Sequence, residues 1–343
     1  MKATSNPTQS HKVTKESFVL VKSKNILSSC LRVFVLAFFT GLLPLSAWGA
    51  QTTNGTNQEA APWLRMPVSA RSAGMGDAFG AMGEDVSSLG LNPAGLAVID
   101  TPQALFLHNT WFQGMSQERV VGGLPLGDIG VLGLSFDYFN LGSVDTYSIG
   151  AGNTLVSNGA LSPFGLDGEI SYARNIVDHI AMGASLKYIQ ENLVGTPNVN
   201  FALDAGLLVH DLIPHFSFGV AVLNAGGNIN GSLVPAEMKT SVAFKTGAFG
   251  DSALNFDVDM DVPLAQSLAV GLKAGVEYWY QNKLALRVGE YFSADRADGN
   301  GDQWNNGTTL GAGLDLTWGR LDYAFQPYGA LGSSHLVSLL TRF

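Results

Sequence analysis

Strict period-two alternation limits what this chain can fold into. In Leu254-Asn255-Phe256-Asp257-Val258-Asp259-Met260-Asp261 every second residue is apolar and the others are Asn or Asp. Leu268, Val270, Leu272, Ala274, Val276, Tyr278 and Tyr280 share one face of the next segment. Gly271, Lys273, Gly275, Glu277 and Trp279 share the other. Such a pattern requires strands with one apolar and one polar face. Fourteen segments carry it: 102–112, 117–125, 128–140, 166–176, 179–191, 199–210, 215–224, 237–247, 252–261, 268–281, 282–293, 307–318, 319–328 and 333–343. Most match the about 9–11 residues that a tilted strand needs to cross a bilayer.

The connections sort by length. Those after even-numbered segments are short: Gly127, Val177-Asp178, Asp211 to Pro214, Ala248 to Gly250, and direct passage at Gln281-Asn282 and Trp318-Gly319. Those after odd-numbered segments are mostly longer: Leu141 to Gly165, Asn192 to Pro197, Ala225 to Ala236 and Ala294 to Asn306. Outer-membrane barrels have short periplasmic turns and longer outer loops. The expected fold is therefore an all-β membrane protein, an antiparallel transmembrane β-barrel of about fourteen strands over 102–343, in contact with outer-membrane lipid. Aromatic residues fall near the expected strand ends. Trp111-Phe112, Tyr138-Phe139, Tyr291-Phe292 and Tyr328 are expected at the outer rim, and Tyr278, Tyr280, Trp318 and Phe343 at the inner one.

The N-terminus is consistent with export. Lys2, Lys12, Lys15, Lys22, Lys24 and Arg32 form a basic region before the apolar run Val33–Leu45, and Ala47-Trp48-Gly49 places cleavage after Gly49. The run is too short for a spanning helix. Residues 1–49 thus form an expected signal peptide, 50–64 a polar flexible linker, and 65–101 a compact element before the barrel. Cys30, the single cysteine, lies in the signal, so no disulfide, Cys-ligated metal or Cys nucleophile is expected in the mature chain. Without the signal, thirteen Lys and Arg stand against twenty-seven Asp and Glu, a net charge of −14. That balance argues against nucleic acid as a partner. No G-x-S-x-G or H-E-x-x-H occurs, so no enzymatic activity is expected and no cofactor is implied.

Residues 65–101 contain Arg71-Ser72-Ala73-Gly74-Met75-Gly76-Asp77-Ala78-Phe79-Gly80, then Glu84-Asp85, then Asn92-Pro93-Ala94-Gly95-Leu96. Gly74 and Gly76 permit close packing or positive φ. Asn92 suits a cap, Pro93 the first position of the following turn, and Gly95 a left-handed exit. Their spacing is not that of a nucleotide-binding loop.

This stretch resembles the N-terminal signature of the PorV/PorQ-like outer-membrane proteins, relatives of FadL-type fatty-acid transporters. The ending Leu321-Asp322-Tyr323-Ala324-Phe325 through Phe343 resembles their closing hairpin. The resemblance implies that the N-terminal element (Arg71, Gly74, Gly76, Asn92, Pro93, Gly95) is a plug inside the barrel, either a filler or a hatch. It also implies that terminal Phe343 is the signal read by the barrel-assembly machinery, although Thr341 departs from the more hydrophobic residue expected there. Passive transport of hydrophobic small molecules follows from the FadL-type relatives. A scaffold that hands exported proteins to a type IX-like secretion machine follows from the PorV-like ones.

Asp257, Asp259, Asp261, Lys273, Glu277, Asp315, Arg320 and Asp322 are expected to line the lumen. An open lumen would make them a cation-favouring lining, and a plugged one would use them for cross-strand pairing. Asp298-Gly299-Asn300-Gly301-Asp302 has the acidic spacing of a calcium loop, but Gln303 and Thr309 stand where an EF-hand needs Gly and Glu, so no metal is assigned.

Overall fold

The computed structural model describes residues 59–193, 195–229, 232–246, 251–264, 270–293 and 307–343. Residues 1–49, expected to form a signal peptide, and the acidic stretch 298–302 lie outside these. Fourteen antiparallel strands form one closed barrel: β1 Gln103–Thr110, β2 Ser116–Pro125, β3 Val131–Asn140, β4 Phe164–Val177, β5 Ile180–Asn192, β6 Asn198–Ile213, β7 Phe216–Ala225, β8 Glu237–Lys245, β9 Ala253–Pro263, β10 Gly271–Tyr280, β11 Leu284–Ser293, β12 Thr308–Asp315, β13 Gly319–Pro327 and β14 Ser333–Arg342. Each strand pairs with its sequence neighbours. β1 closes the ring on β14, from Gln103 opposite Arg342 to Thr110 opposite His335.

The alternation becomes an apolar outside and a polar inside. Val120, Leu134, Phe136, Ile170, Leu186, Val258, Leu286 and Leu310 are exposed on the outer wall, whereas Asp257, Asp259 and Glu277 are fully buried within. A barrel places this chemistry the reverse way from a soluble sandwich, because lipid solvates its outer face. Among the described residues, the connections at the short-turn end are short. Between β10 and β11, Gln281 and Asn282 both adopt left-handed backbone, φ 52° and 51°, and the Lys283 N–H donates to the Tyr280 carbonyl at 3.1 Å, the primed turn that matches strand twist.

The connection 141–163 is not an unstructured loop. Val144–Ile149 pairs with Leu155–Leu161, and the Leu141 N–H donates to the Pro163 carbonyl. The β3–β4 ladder therefore runs on past the rim as a two-stranded ribbon. Its side chains are nearly all exposed, including Ile149 and Leu155.

Residues 59–101 lie against the inner faces of the strands. Short 3₁₀ turns (Pro62–Arg65, Val86–Ser88, Pro93–Val98) and one helical turn, α1 (Ala70–Gly74), join through bends. Leu89, Leu96 and Val86 pack with Leu105, Leu107, Val121, Leu336 and Leu340 of the wall. Met75, Phe79, Met82 and Leu91 pack with Ala181, Leu208 and Ala243. Ala60, Ala61 and Trp63, grouped with the linker from sequence, are buried as well. Trp63 stacks at 6.3 Å on Phe139.

Candidate functional site

The inner segment meets the wall through bare backbone. Inward-facing positions on several strands are glycine, and an added Cβ at each would strike the segment. Contacts with segment backbone include 2.1 Å from Gly289 to Gly76, 2.4 Å from Gly183 to Pro93, 2.5 Å from Gly275 to Met75, and 2.9 Å from Gly311 to Gly74. Gly76 itself sits at φ +67°, so both its conformation and its contact exclude a side chain. Asn92 caps the turn that follows it: its Oδ1 accepts from the Ala94 N–H at 3.1 Å. Its Nδ2 donates to the carbonyls of Gly80 and Leu207. Pro93 opens that turn as expected. Gly95 differs from the expected left-handed exit. It lies within the turn, where a Cβ would come within 2.7 Å of Ser88.

Charge fixes the segment in two places. The first is a closed ring of alternating charges. Arg71 donates to Glu277 at 2.6 and 2.8 Å and to Asp85 at 3.1 Å. Arg287 links Glu277, at 2.7 Å, to Asp322, at 2.8 Å. Arg320 links Asp322 to Asp85, both at 2.7 Å. Arg71 and Asp85 come from the inner segment and the other four from β10, β11 and β13. Each carboxylate touches two guanidinium groups, which is what burial of six charges requires. Burial alone would raise the Asp85 carboxyl; Arg320 and Arg71 outweigh it and hold it well below the usual carboxylate range. The second place is β9. Asp259 accepts from the Phe79 and Gly80 N–H groups, at 3.2 and 3.1 Å, and Asp257 from Ala81 N–H at 3.3 Å. Three successive amides thus rest on two carboxylates one strand pleat apart.

Of the residues expected to line the lumen, Asp257, Asp259, Glu277, Arg320 and Asp322 are drawn into these two arrangements. Lys273 pairs at 2.9 Å with Asp261, which also binds Lys239. Asp315 stands apart at the short-turn rim, partly exposed and paired with Arg342 at 2.8 Å. Phe343 is exposed on the outer wall, and its N–H donates to the Pro102 carbonyl. Arg287, Lys239 and Asp85, which complete the charge pairing, were not singled out from sequence. The parity of β8 and β11 already placed Lys239 and Arg287 on the inner face, and only the ring itself gives them a role.

The aromatic residues divide. Tyr138, Phe292, Tyr278, Tyr280, Trp318 and Phe343 are exposed outward. Phe139 is buried and Trp111 packs on Phe112, Phe139 and Tyr328. Tyr291 lies 5.5 Å from the Lys273 ammonium, on the inner side. Four of the seven rings expected at the outer rim, Trp111, Phe139, Tyr291 and Tyr328, therefore face inward; for Phe139 and Tyr291, which lie within strands, parity rather than proximity to the rim decides the direction.

Trp111, Tyr291 and Tyr328 border a cavity of about 370 Å³ at the long-loop end, between the inner segment and the wall. Leu64, Met66, Trp111, Leu223, Tyr291 and Tyr328 supply its apolar surface. Its charged groups are Arg65, Lys239, Lys273, Asp77, Glu237 and Asp261. Burial pushes the Asp77 carboxyl above its ordinary range, with Lys273 and Lys239 opposing. Among the described residues, no group of acidic, His or Cys side chains has the arrangement of a metal site.

With its outward apolar wall, polar interior and unequal loop ends, the chain is an outer-membrane β-barrel. Its fold is that of known outer-membrane channels. It is similar to a deltaS2S3 mutant of the TodX monoaromatic hydrocarbon channel, with 14% identity, a TM-score of 0.53, and 80% of this chain and 99% of that one covered. It is also similar to the Pseudomonas putida toluene transporter TodX, with 13% identity, a TM-score of 0.51, and 80% and 96% covered. No protein-family model and no curated protein sequence matches the chain.

Proposed function

We propose that this barrel is a FadL-like, non-enzymatic passive transporter that carries hydrophobic small molecules across the outer membrane. The observation that carries this reading is the long-loop-end cavity. It is walled by aromatic and aliphatic side chains and floored by an inner segment held through hydrogen bonds and ion pairs rather than covalently. A molecule entering from outside meets that cavity first, and the floor supplies the hatch that the N-terminal signature implies. The TodX proteins that share the fold are a monoaromatic hydrocarbon channel and a toluene transporter, which supports the same class of cargo. The test is uptake of radiolabelled toluene by cells whose outer membrane carries the barrel. Uptake above that of cells lacking it is expected, and equal uptake would exclude transport of that cargo.

A second reading, a PorV-like scaffold for exported proteins, is favoured by the ribbon 144–161. It extends the wall beyond the rim with Tyr147, Ile149 and Leu155 exposed and Asp145 its single charged side chain. Native mass spectrometry of protein gently extracted from its own outer membrane separates the two readings. Small hydrophobic adducts on a monomer support transport, and a stable complex with exported proteins supports the scaffold.

A further inference from the structure

Two side-chain oxygens on the lining of the long-loop-end cavity lack the hydrogen bonds that buried polar atoms ordinarily have. Asp77 is 8% exposed and Thr309 5% exposed, and both line the cavity. Asp77 Oδ1 and Thr309 Oγ1 find no hydrogen-bond partner among the described residues. They belong to one corner. Thr309 faces Gly289 directly across the β11–β12 ladder, and Gly289 abuts the backbone of Met75 and Gly76, the residue before Asp77. Asp77 is held there by left-handed backbone, φ 58°, and by its own N–H, which donates to the Ser72 carbonyl at 2.8 Å. A third unpartnered atom, the Trp111 indole nitrogen, lies among the rings of Phe112, Phe139 and Tyr328.

The chemistry of the corner is selective. A carboxylate oxygen accepts only, whereas a hydroxyl both donates and accepts. The group that completes the pair therefore donates to Asp77 and can receive from Thr309. The charged side chains on the lining are three cations and three anions, so the cavity has no net charge to draw in an ion. Arg65 is already paired with Glu237, and both lysines with Asp261, so no cation is spare for a carboxylate head. An ammonium head would have to approach Asp77 in the presence of Lys239 and Lys273. A neutral hydroxyl meets none of these penalties.

The geometry points to a binding site for an uncharged, hydroxyl-bearing apolar molecule, an alcohol or phenol, with its hydroxyl between Asp77 and Thr309 and its apolar body against Leu64, Met66 and Tyr328. This rests on the transport reading and narrows its cargo from hydrocarbons in general to those carrying a hydroxyl. Sites built around buried hydrogen-bonding groups discriminate against analogues lacking the matching group, because those groups are then left unpaired.

The experiment is calorimetric titration of the full barrel in lipid nanodiscs, with empty discs as the blank, using toluene, benzyl alcohol, benzylamine and benzoate. Benzyl alcohol is expected to bind at least about tenfold more tightly than the other three. That preference should vanish in Thr309→Val, which keeps shape and removes the hydroxyl. It should also vanish in Asp77→Gly, which removes the carboxylate and suits the left-handed backbone. If Asp77→Gly does not fold, Thr309→Val alone decides. Equal binding of toluene and benzyl alcohol overturns the hydroxyl site and leaves hydrophobic transport standing. Tightest binding by benzylamine or benzoate also overturns it, because a charged head would then be the one selected. A preference that survives both variants places the hydroxyl elsewhere and overturns the assignment. Failure of all four to bind above the blank overturns both this inference and the transport reading.

Discussion

Asp259 carries the contact between wall and inner segment at its most concentrated point, since one carboxylate accepts the N–H groups of Phe79 and Gly80. Replacing it with Ala leaves two buried donors without acceptors. The expected cost to docking is about 1–3 kcal/mol, with the barrel ladder unchanged. Hydrogen exchange should show faster turnover at Phe79–Ala81 and no change on β9–β11. Asp85 gives the pH dependence. Its folded-state carboxyl is held below its unfolded value, after burial is outweighed by Arg320 and Arg71. Its stabilisation is therefore fully present above the ordinary carboxylate range, about pH 4, and is lost as pH falls through the lower folded value. Protection of residues 59–101 from protease should be flat from neutral pH to about pH 4 and fall only below it. Asp85→Asn should remove that acid transition and weaken docking by about 3 kcal/mol, since Arg71 and Arg320 each lose a buried partner. An unchanged acid transition in Asp85→Asn would assign it to another carboxylate.

At the level of elements, the inner segment is shaped by what the strands leave out. A lumen-facing glycine on β5, β10, β11 or β12 removes a side chain where α1 or the turn at 93–98 passes, and backbone then approaches backbone. Gly183→Val would place methyl groups into the Pro93–Ala94 peptide, already 2.4 Å from an ideal Cβ. Its expected effect is displacement of the 93–98 turn and a stability loss of about 1–3 kcal/mol. In planar bilayers the displaced segment should appear as raised ion conductance. Gly168→Val is the control, because nothing lies within 4 Å of a Cβ at Gly168. Conductance equal to wild type in Gly183→Val would mean that the turn does not seal the lumen. The ribbon at 144–161 is the opposite case, an element with almost no tertiary packing, whose hydrogen bonds are made within itself. Two strands alone are marginally stable in water, so shortening this ribbon should leave the unfolding of the barrel unchanged.

The whole molecule is defined by its two solvents. The outer wall is lipid-facing, so a charge there is costly in proportion to its depth. Ile170→Arg or Leu134→Lys, on the outer faces of β4 and β3, should destabilise by about 2–4 kcal/mol if central in the bilayer. Phe343→Arg at the rim should cost less than about 1 kcal/mol. Denaturant titration in detergent or lipid measures the difference, and equal costs at the two depths would contradict a membrane-crossing wall. The strand pattern was largely legible in the sequence: every one of the fourteen alternating segments overlaps a barrel strand, with boundaries shifted by up to three residues. The segment at 128–140 begins later, at Val131, because Gly127–Ile129 forms a tight turn. The ribbon within 141–163 was missed for a physical reason. Both of its faces are exposed, so no period-two contrast is imposed on it. The inward rings of Phe139 and Tyr291 were placed at the rim because nearness to a strand end is visible in sequence, whereas the direction of a ring follows from register. Alternation, strand number, loop asymmetry and the inward acidic face of β9 came from the chain itself, because a strand's two faces repeat every second residue. Tertiary structure alone decided that Arg71, Glu277, Arg287, Asp322, Arg320 and Asp85 close into a ring, that inward glycines receive the inner segment, and that Asp77 and Thr309 line one cavity. Those contacts join residues up to 237 positions apart, Gly74 and Gly311, and only closure of the barrel fixes which of them face one another.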